Sequence, residues 1–317
     1  MKIKVGIVGY GNLGKAVEQE ILKNKDFKLI AIFSRRTIKS SFDTIVEPYD
    51  NFVNYKNKID IMFLCGGSKC DLEIQTPEIA KYFDVINTFD THAKIKEHFE
   101  TLDNIAKKSN HRAIISCGWD PGLFSLIRVV MQAISGETPT TFWGKGISMG
   151  HSDALRNVKG VEDAVQFTLP NKQAVKLARQ GKLPKNMPLH FRDCHIVSND
   201  SNHEELTTRI KNIPNYFKGQ PTSVNFVNML TLSKLKKKMF HKGEIVSSFK
   251  SAKSKFSILF KVSMDSNPEF TAKIMISYTK AILNLKQKNI VGAFTPLDIP
   301  ASFLLSAREK DKLWNLC

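Results

Sequence analysis

Cysteine is scarce in this 317-residue chain, and arginine is scarcer than its charge suggests. The five cysteines, Cys65, Cys70, Cys117, Cys194 and Cys317, are scattered without a CxxC pair. Neither a disulfide framework nor a thiolate metal or redox centre is expected, and no metal is assigned. Long apolar runs are also missing. None reaches the ~18 residues of a membrane span, and Met1-Lys2-Ile3-Lys4-Val5 runs straight into a strand pattern without a signal-peptide layout. A soluble, cytoplasmic protein with no membrane partner is expected. Of 47 basic residues only nine are arginine, so most of the net charge of +17 is lysine, which on a surface can be solvated charge alone. No aromatic-interleaved basic stripe or recognition helix accompanies it, so nucleic acid is not the expected partner. What is present, 42% hydrophobic and 24% charged residues, suits about two domains, each with its own core.

The first 120 residues read as a nucleotide-binding sheet. Ile3 to Val8 is a short apolar run, as in a parallel strand covered on both faces, and Gly9-Tyr10-Gly11-Asn12-Leu13-Gly14 follows at once. Leu13, Ala16, Val17, Glu20 and Ile21 then carry helical spacing. In this strand–turn–helix context Gly9 permits the tight turn, Gly11 the approach of a pyrophosphate, and Gly14 close packing of helix on strand. The helix N-terminus faces the phosphates. The next strand, Lys28 to Phe33, ends in Ser34-Arg35-Arg36, about 20 residues past Gly14, where an NAD site places an acid on the ribose hydroxyls. No acid occurs between Phe33 and Phe42. Two guanidinium groups and a hydroxyl suit a 2′-phosphate, hence NADP.

Further strands are expected at Ile59 to Leu64, Val85 to Thr88 and Ala113 to Ser116, with a helix over His92 to Lys108. In a doubly wound sheet, ligands gather past the carboxyl ends of the strands. Gly66-Gly67-Ser68, Phe89-Asp90 and Gly118-Trp119-Asp120-Pro121-Gly122 therefore line the candidate site, which brings in two carboxylates, Asp90 and Asp120. A pair of acids beside a nicotinamide can bind an ammonium group and move protons in amine chemistry; singly, each is equally a capping or turn residue.

Past residue 120 the βα rhythm fades. A helix is expected over Leu123 to Ile134, and alternating runs at His195 to Val197, Ser223 to Leu232 and Phe256 to Met264 suggest mainly antiparallel strands. Ala272 to Leu285 and Gly292 to Leu305 carry helical spacing. The organisation expected is a Rossmann-type doubly wound α/β domain over 1–120, completed by 290–317, with an α+β substrate-binding and dimerisation domain over 121–289. Spacing alone assembles no site here. Thr168 and Asn267 read as turn or cap residues, and Arg192 and His241 as surface residues.

Together the motifs resemble the meso-diaminopimelate dehydrogenases through almost the whole chain. The resemblance rests on Val8 to Gly14, Ile32 to Arg36, Phe63 to Ser68, Ser116 to Gly122, Thr141-Phe142-Trp143-Gly144, Gly150-His151-Ser152-Asp153-Ala154-Leu155-Arg156, Ala164 to Pro170, Asn267 to Ala272 and Gly292 to Thr295. It implies NADP-dependent oxidative deamination of meso-2,6-diaminopimelate at its D-centre, and a homodimer. Asp90, Trp119 and Asp120 are implied to hold the D-centre, the two acids catalytically. Thr168, Arg192, His241 and Asn267 are implied to take the distal end, with Trp143 and Met149 lining the pocket. The cofactor contacts implied are Gly9 to Gly14, Ser34 to Arg36, Ser68, Lys69, Cys70, Asp71, Thr88, Phe89, Asp90 and Cys117 to Pro121. The sequence departs from the family pattern at Met239 to Glu244, where the family tends to have a glycine-rich loop, and at Met149, where a relative has Gln. The competing readings are another NADP-linked oxidoreductase, dihydrodipicolinate-reductase-like or opine-type, and a nucleotide-sensing or nucleic-acid-binding protein with an inactive Rossmann domain.

Overall fold

The computed structural model describes residues 2–182, 184, 186–237 and 239–312, the side chains of Lys69, Ala307 and Arg308 excepted. The chain divides into two compact units, one made of residues up to Leu126 and from Pro268 onward, the other of Ile127–Asn267.

In the first unit, short apolar runs become parallel strands: β1 (Ile3–Val8), β2 (Phe27–Ser34), β3 (Val46–Pro48), β4 (Ile61–Leu64), β5 (Asp84–Asn87) and β6 (Arg112–Ile114). β1 lies between β4 and β2, with β3 outside β2 and β5 and β6 continuing past β4. Helices α1 (Asn12–Lys23), α2 (Glu73–Ile79) and α3 (Ile95–Ser109) alternate with the strands. One sheet face buries Val5, Ile7, Ile32 and Phe63 with Val17 and Ile21 of α1. The other buries Phe33, Met62, Leu64 and Val85 with Ile79 of α2 and Leu102 and Ala106 of α3. Each such side chain contributes roughly 1.5–3 kcal/mol by leaving water.

Helix α4 (Leu123–Ser135) carries the chain into the second unit. There β7 (Thr140–Trp143), β8 (Gly146–Ile147), α5 (Met149–Arg156), β9 (Val161–Pro170), α6 (Lys172–Arg179), β10 (His190–Ser198), α7 (His203–Lys211), β11 (Thr222–Phe226), α8 (Met229–Lys236), β12 (His241–Ser251) and β13 (Ser254–Met264) follow. They form two sheets, β8-β9-β10-β11 and β7-β12-β13. All pairings are antiparallel except β10 with β11. The alternation expected over Ser223 to Leu232 stops at Phe226 because Asn228 caps α8, its side-chain oxygen accepting from the Thr231 N–H at 2.8 Å.

The chain returns to the first unit at Pro268 rather than at 290. Helices α9 (Asn267–Ser277) and α10 (Thr279–Gln287) carry Ala272, Met275, Ile282 and Leu285 into the core beside β1 and β2. Gly292 to Phe294, expected as part of a helix, is instead strand β14, pairing parallel with β6. Three residues are too few for periodicity to declare themselves.

Candidate active site

The turn after β1 is shaped by its glycines. Gly9 adopts φ +87°, and a Cβ on Gly14 would sit 2.1 Å from the Gly9 carbonyl oxygen, so the helix can start this close to the strand only without a side chain there. A Cβ on Gly11 would meet no atom within 4 Å: the protein leaves that side of the turn open. α1 begins without a side-chain cap and without an acid in its first turn, which suits an anion at its N-terminus. Leu13 packs into the core below.

At the end of β2, Ser34 forms a local turn, its hydroxyl accepting from the Arg36 N–H at 3.1 Å and donating to the Arg36 carbonyl at 2.9 Å. Arg35 is ion-paired with Asp71, in the turn Ser68–Leu72 after β4. Asp71 also accepts from the Gly67 N–H at 2.9 Å. Since β1 lies between β4 and β2, the Arg35–Asp71 pair spans the carboxyl end of β1. Cys70 is exposed, and the Lys69 side chain lies outside the described residues.

The turns after β4, β5 and β6 are tied to one another. The Asp90 N–H donates to the Ser68 hydroxyl at 3.1 Å, the Ser116 hydroxyl to the Phe89 carbonyl at 2.8 Å, and the Cys117 N–H to the Asn87 carbonyl at 2.9 Å. Thr88 is half-buried and Asp90 exposed. Phe89 is fully buried and stacked on His98 at 4.1 Å, and Cys117 is fully buried, so neither offers a ligand its side chain. The Gly118–Gly122 loop closes through a Gly118 N–H bond to the Pro121 carbonyl at 3.0 Å, and Trp119 stands edge-on to Phe124 at 5.1 Å.

In the second unit Thr168 and Arg192 face each other in the β9–β10 register, and the Arg192 guanidinium donates to the Thr168 hydroxyl oxygen at 3.0 Å. Gln166, two residues earlier on the same face, donates to the same oxygen at 3.4 Å. Thr168 is thus a buried mid-strand residue rather than a turn residue. Arg192 is half-buried rather than a surface residue, because period two turns both to one face. Burial works against the Arg192 charge, its Nε has no hydrogen-bond partner among the described residues, and no Asp or Glu among them is ion-paired with it. His151 and His190 are pushed down to about 4, first by burial and then by Arg192. His190 Nε2 accepts from the Trp143 N–H at 2.8 Å, and the two rings lie 5.0 Å apart. His241 is also buried, its Nδ1 donating to the Lys242 carbonyl at 2.8 Å. A Cβ on Gly146 would fall 2.4 Å from the His241 ring. The Asn267 N–H donates to the Met239 carbonyl at 2.8 Å. Met149, at the start of α5, is 40% exposed.

A family model described as diaminopimelic acid dehydrogenase C-terminal domain matches residues 118–266. The meso-diaminopimelate D-dehydrogenase of Acetivibrio thermocellus is 42% identical, over 96% of this chain and 94% of its own length. The chain belongs to the meso-diaminopimelate D-dehydrogenase family. Among solved structures, the C. glutamicum DAP dehydrogenase in complex with DAP is 35% identical, with a TM-score of 0.94 over 99% of this chain and 98% of that one. An engineered D-amino acid dehydrogenase bound to NADP+ is 34% identical, with a TM-score of 0.91 over 99% of both chains.

Beyond the residues that its resemblance to the family implies, this member carries three that sequence reasoning left out. His190 and His151 lie within the electrostatic influence of Arg192, and the position of His190 two residues before Arg192 on one strand was the available signal. Glu18 is fully buried on α1, although Glu20 is the acid that the helical spacing singles out. Glu20 instead pairs with Lys23 and Lys273.

Proposed function

We propose that this chain catalyses the reversible NADP-linked oxidative deamination of meso-2,6-diaminopimelate at its D-centre, giving L-2-amino-6-oxopimelate and ammonia. The observation that carries the reading is Arg192, a half-buried cation set against Thr168 with no carboxylate paired to it among the described residues. Such a group is stable with an anion on it, and the near-full-length likeness to the family makes a substrate carboxylate the fitting one. Because the Thr168 oxygen accepts from both Arg192 and Gln166, its own O–H is left to donate, which suits a carboxylate. His241 and Asn267 act at the same end of the substrate, with Trp143 and Met149 along the pocket. Holding the distal end at several points lets a substrate with two like ends present one chiral carbon only.

The first unit fits a dinucleotide: the open side of Gly11 and the uncapped start of α1 leave room and donors for a pyrophosphate. Gly9 to Gly14 hold it, Ser34, Arg35 and Arg36 take the 2′-phosphate, and the turns at Ser68–Asp71, Thr88–Asp90 and Cys117–Pro121 line the remainder. When bound, NADP supplies the hydride acceptor. Asp90 and Asp120 accept the hydrogen bonds of the reacting ammonium group and take the proton it must lose, Trp119 holds the D-carbon, and water supplies the oxygen of the oxo product as ammonia leaves. A homodimer in the cytoplasm is the expected setting.

The test is absorbance at 340 nm with NADP and each diaminopimelate stereoisomer. Reduction with the meso form and none with the L,L form is expected. A folded protein that binds NADPH yet does not turn over the meso form refutes the proposal.

A further inference from the structure

Glu18 is the one fully buried acid of α1, and none of the roles above uses it. A carboxylate out of water needs donors to compensate it. Glu18 finds three hydroxyls: Tyr10 donates to one oxygen, and Ser40, at 2.6 Å, and Thr44, at 2.5 Å, donate to the other. The network runs on into the backbone. The Ser40 hydroxyl accepts from the N–H groups of Phe42 and Thr44 at 3.0 and 3.2 Å, and the Tyr10 hydroxyl accepts from the Ser41 N–H at 3.1 Å.

The elements joined in this way are the glycine turn, through Tyr10, and the loop between β2 and β3, which begins at Arg35 and Arg36. We infer that Glu18 is a positioning residue for NADP selection: its carboxylate fixes the 40–44 loop on the glycine turn and so holds the preceding Arg35–Arg36 segment where a 2′-phosphate arrives. The inference deepens the proposed cofactor role and rests on it. A carboxylate suits this place because both its oxygens only accept. The amide of Gln offers one acceptor, and its NH₂ would meet a Tyr10 hydroxyl whose oxygen already accepts from Ser41.

The test compares wild type, Glu18→Gln and Thr44→Val by fluorescence titration with NADPH and with NADH, together with tryptic nicking at Lys39 in the cofactor-free protein. Thr44→Val removes one donor in an isosteric change and serves if Glu18→Gln does not fold. Loss of a charge-assisted hydrogen bond corresponds to about tenfold weaker NADPH binding. NADH binding is expected to stay within about twofold, since that cofactor lacks the phosphate the loop serves, and nicking at Lys39 is expected to quicken. Equal weakening for both cofactors, or no change in either, overturns the assignment, as does unchanged nicking. A wild type that does not prefer NADPH overturns the cofactor reading and the assignment together, whereas a preference that survives Glu18→Gln overturns the assignment alone.

Discussion

A guanidinium held partly out of water, with no carboxylate paired to it among the described residues, disfavours protonation of its neighbours, and Arg192 adds this to the larger effect of burial on two histidines. Replacing it with Met should raise the His151 and His190 pKa values from about 4 toward the usual range, because the positive charge that disfavours their protonation is gone while the burial remains. NMR titration of the ring protons reads this directly. The same change should raise KM for the substrate by roughly 10–100-fold, as expected for one charge-assisted contact, with a smaller effect on kcat. Unshifted histidines together with an unchanged KM contradict the carboxylate role. The sequence named Arg192 and Thr168 through resemblance only. Their partnership depends on strand register, which joins residues 24 positions apart and leaves no mark in local spacing. The same holds for Glu18, whose burial depends on a loop that begins far beyond its own helix.

Among the elements, the β1–α1 turn separates two reasons for a glycine. Gly14→Ala places a methyl 2.1 Å from the Gly9 carbonyl oxygen and should cost about 1–3 kcal/mol of stability, as overpacking does. Gly11→Ala meets no atom of the described residues within 4 Å and should leave the urea midpoint almost unchanged while weakening NADPH binding by roughly tenfold or more, since on the proposed role the methyl occupies space the pyrophosphate needs. Chemical denaturation and cofactor titration of the two variants distinguish these outcomes; an unstable Gly11→Ala protein contradicts the ligand role of that glycine. This element was legible from end to end, because its strand, turn and helix are contiguous. β3 and β14, each three residues long, were not: edge strands this short owe their state to the neighbouring strand.

For the molecule as a whole, acid is the vulnerable side. His98, His151 and His190 are each pushed down to about 4, chiefly by burial, so between that value and the ordinary ~6.5 the unfolded chain binds protons that the folded one refuses. Their contribution to stability is fully present above about pH 6.5 and is lost as the pH falls toward 4. Carboxyls held low by lysine partners, Glu20, Asp103 and Asp163, add a further loss below the carboxylate range. Urea midpoints should therefore be level near pH 7–8 and decline steadily below about 6.5; a midpoint that rises on acidification contradicts the burial of these rings. The net charge of +17 works alongside this by drawing anions toward the protein, yet the anion contacts proposed above fall to a few arginines. One of them is already engaged: Arg35 and Asp71 reach across the end of β1 to each other. On the proposed role of Arg35, a 2′-phosphate exchanges one anion for another on the same guanidinium, and because exposed ion pairs are typically worth about 0–1 kcal/mol, the competition should discount NADP affinity by up to about fivefold. On that role, Asp71 is a resident competitor for the Arg35 guanidinium in the cofactor-free protein.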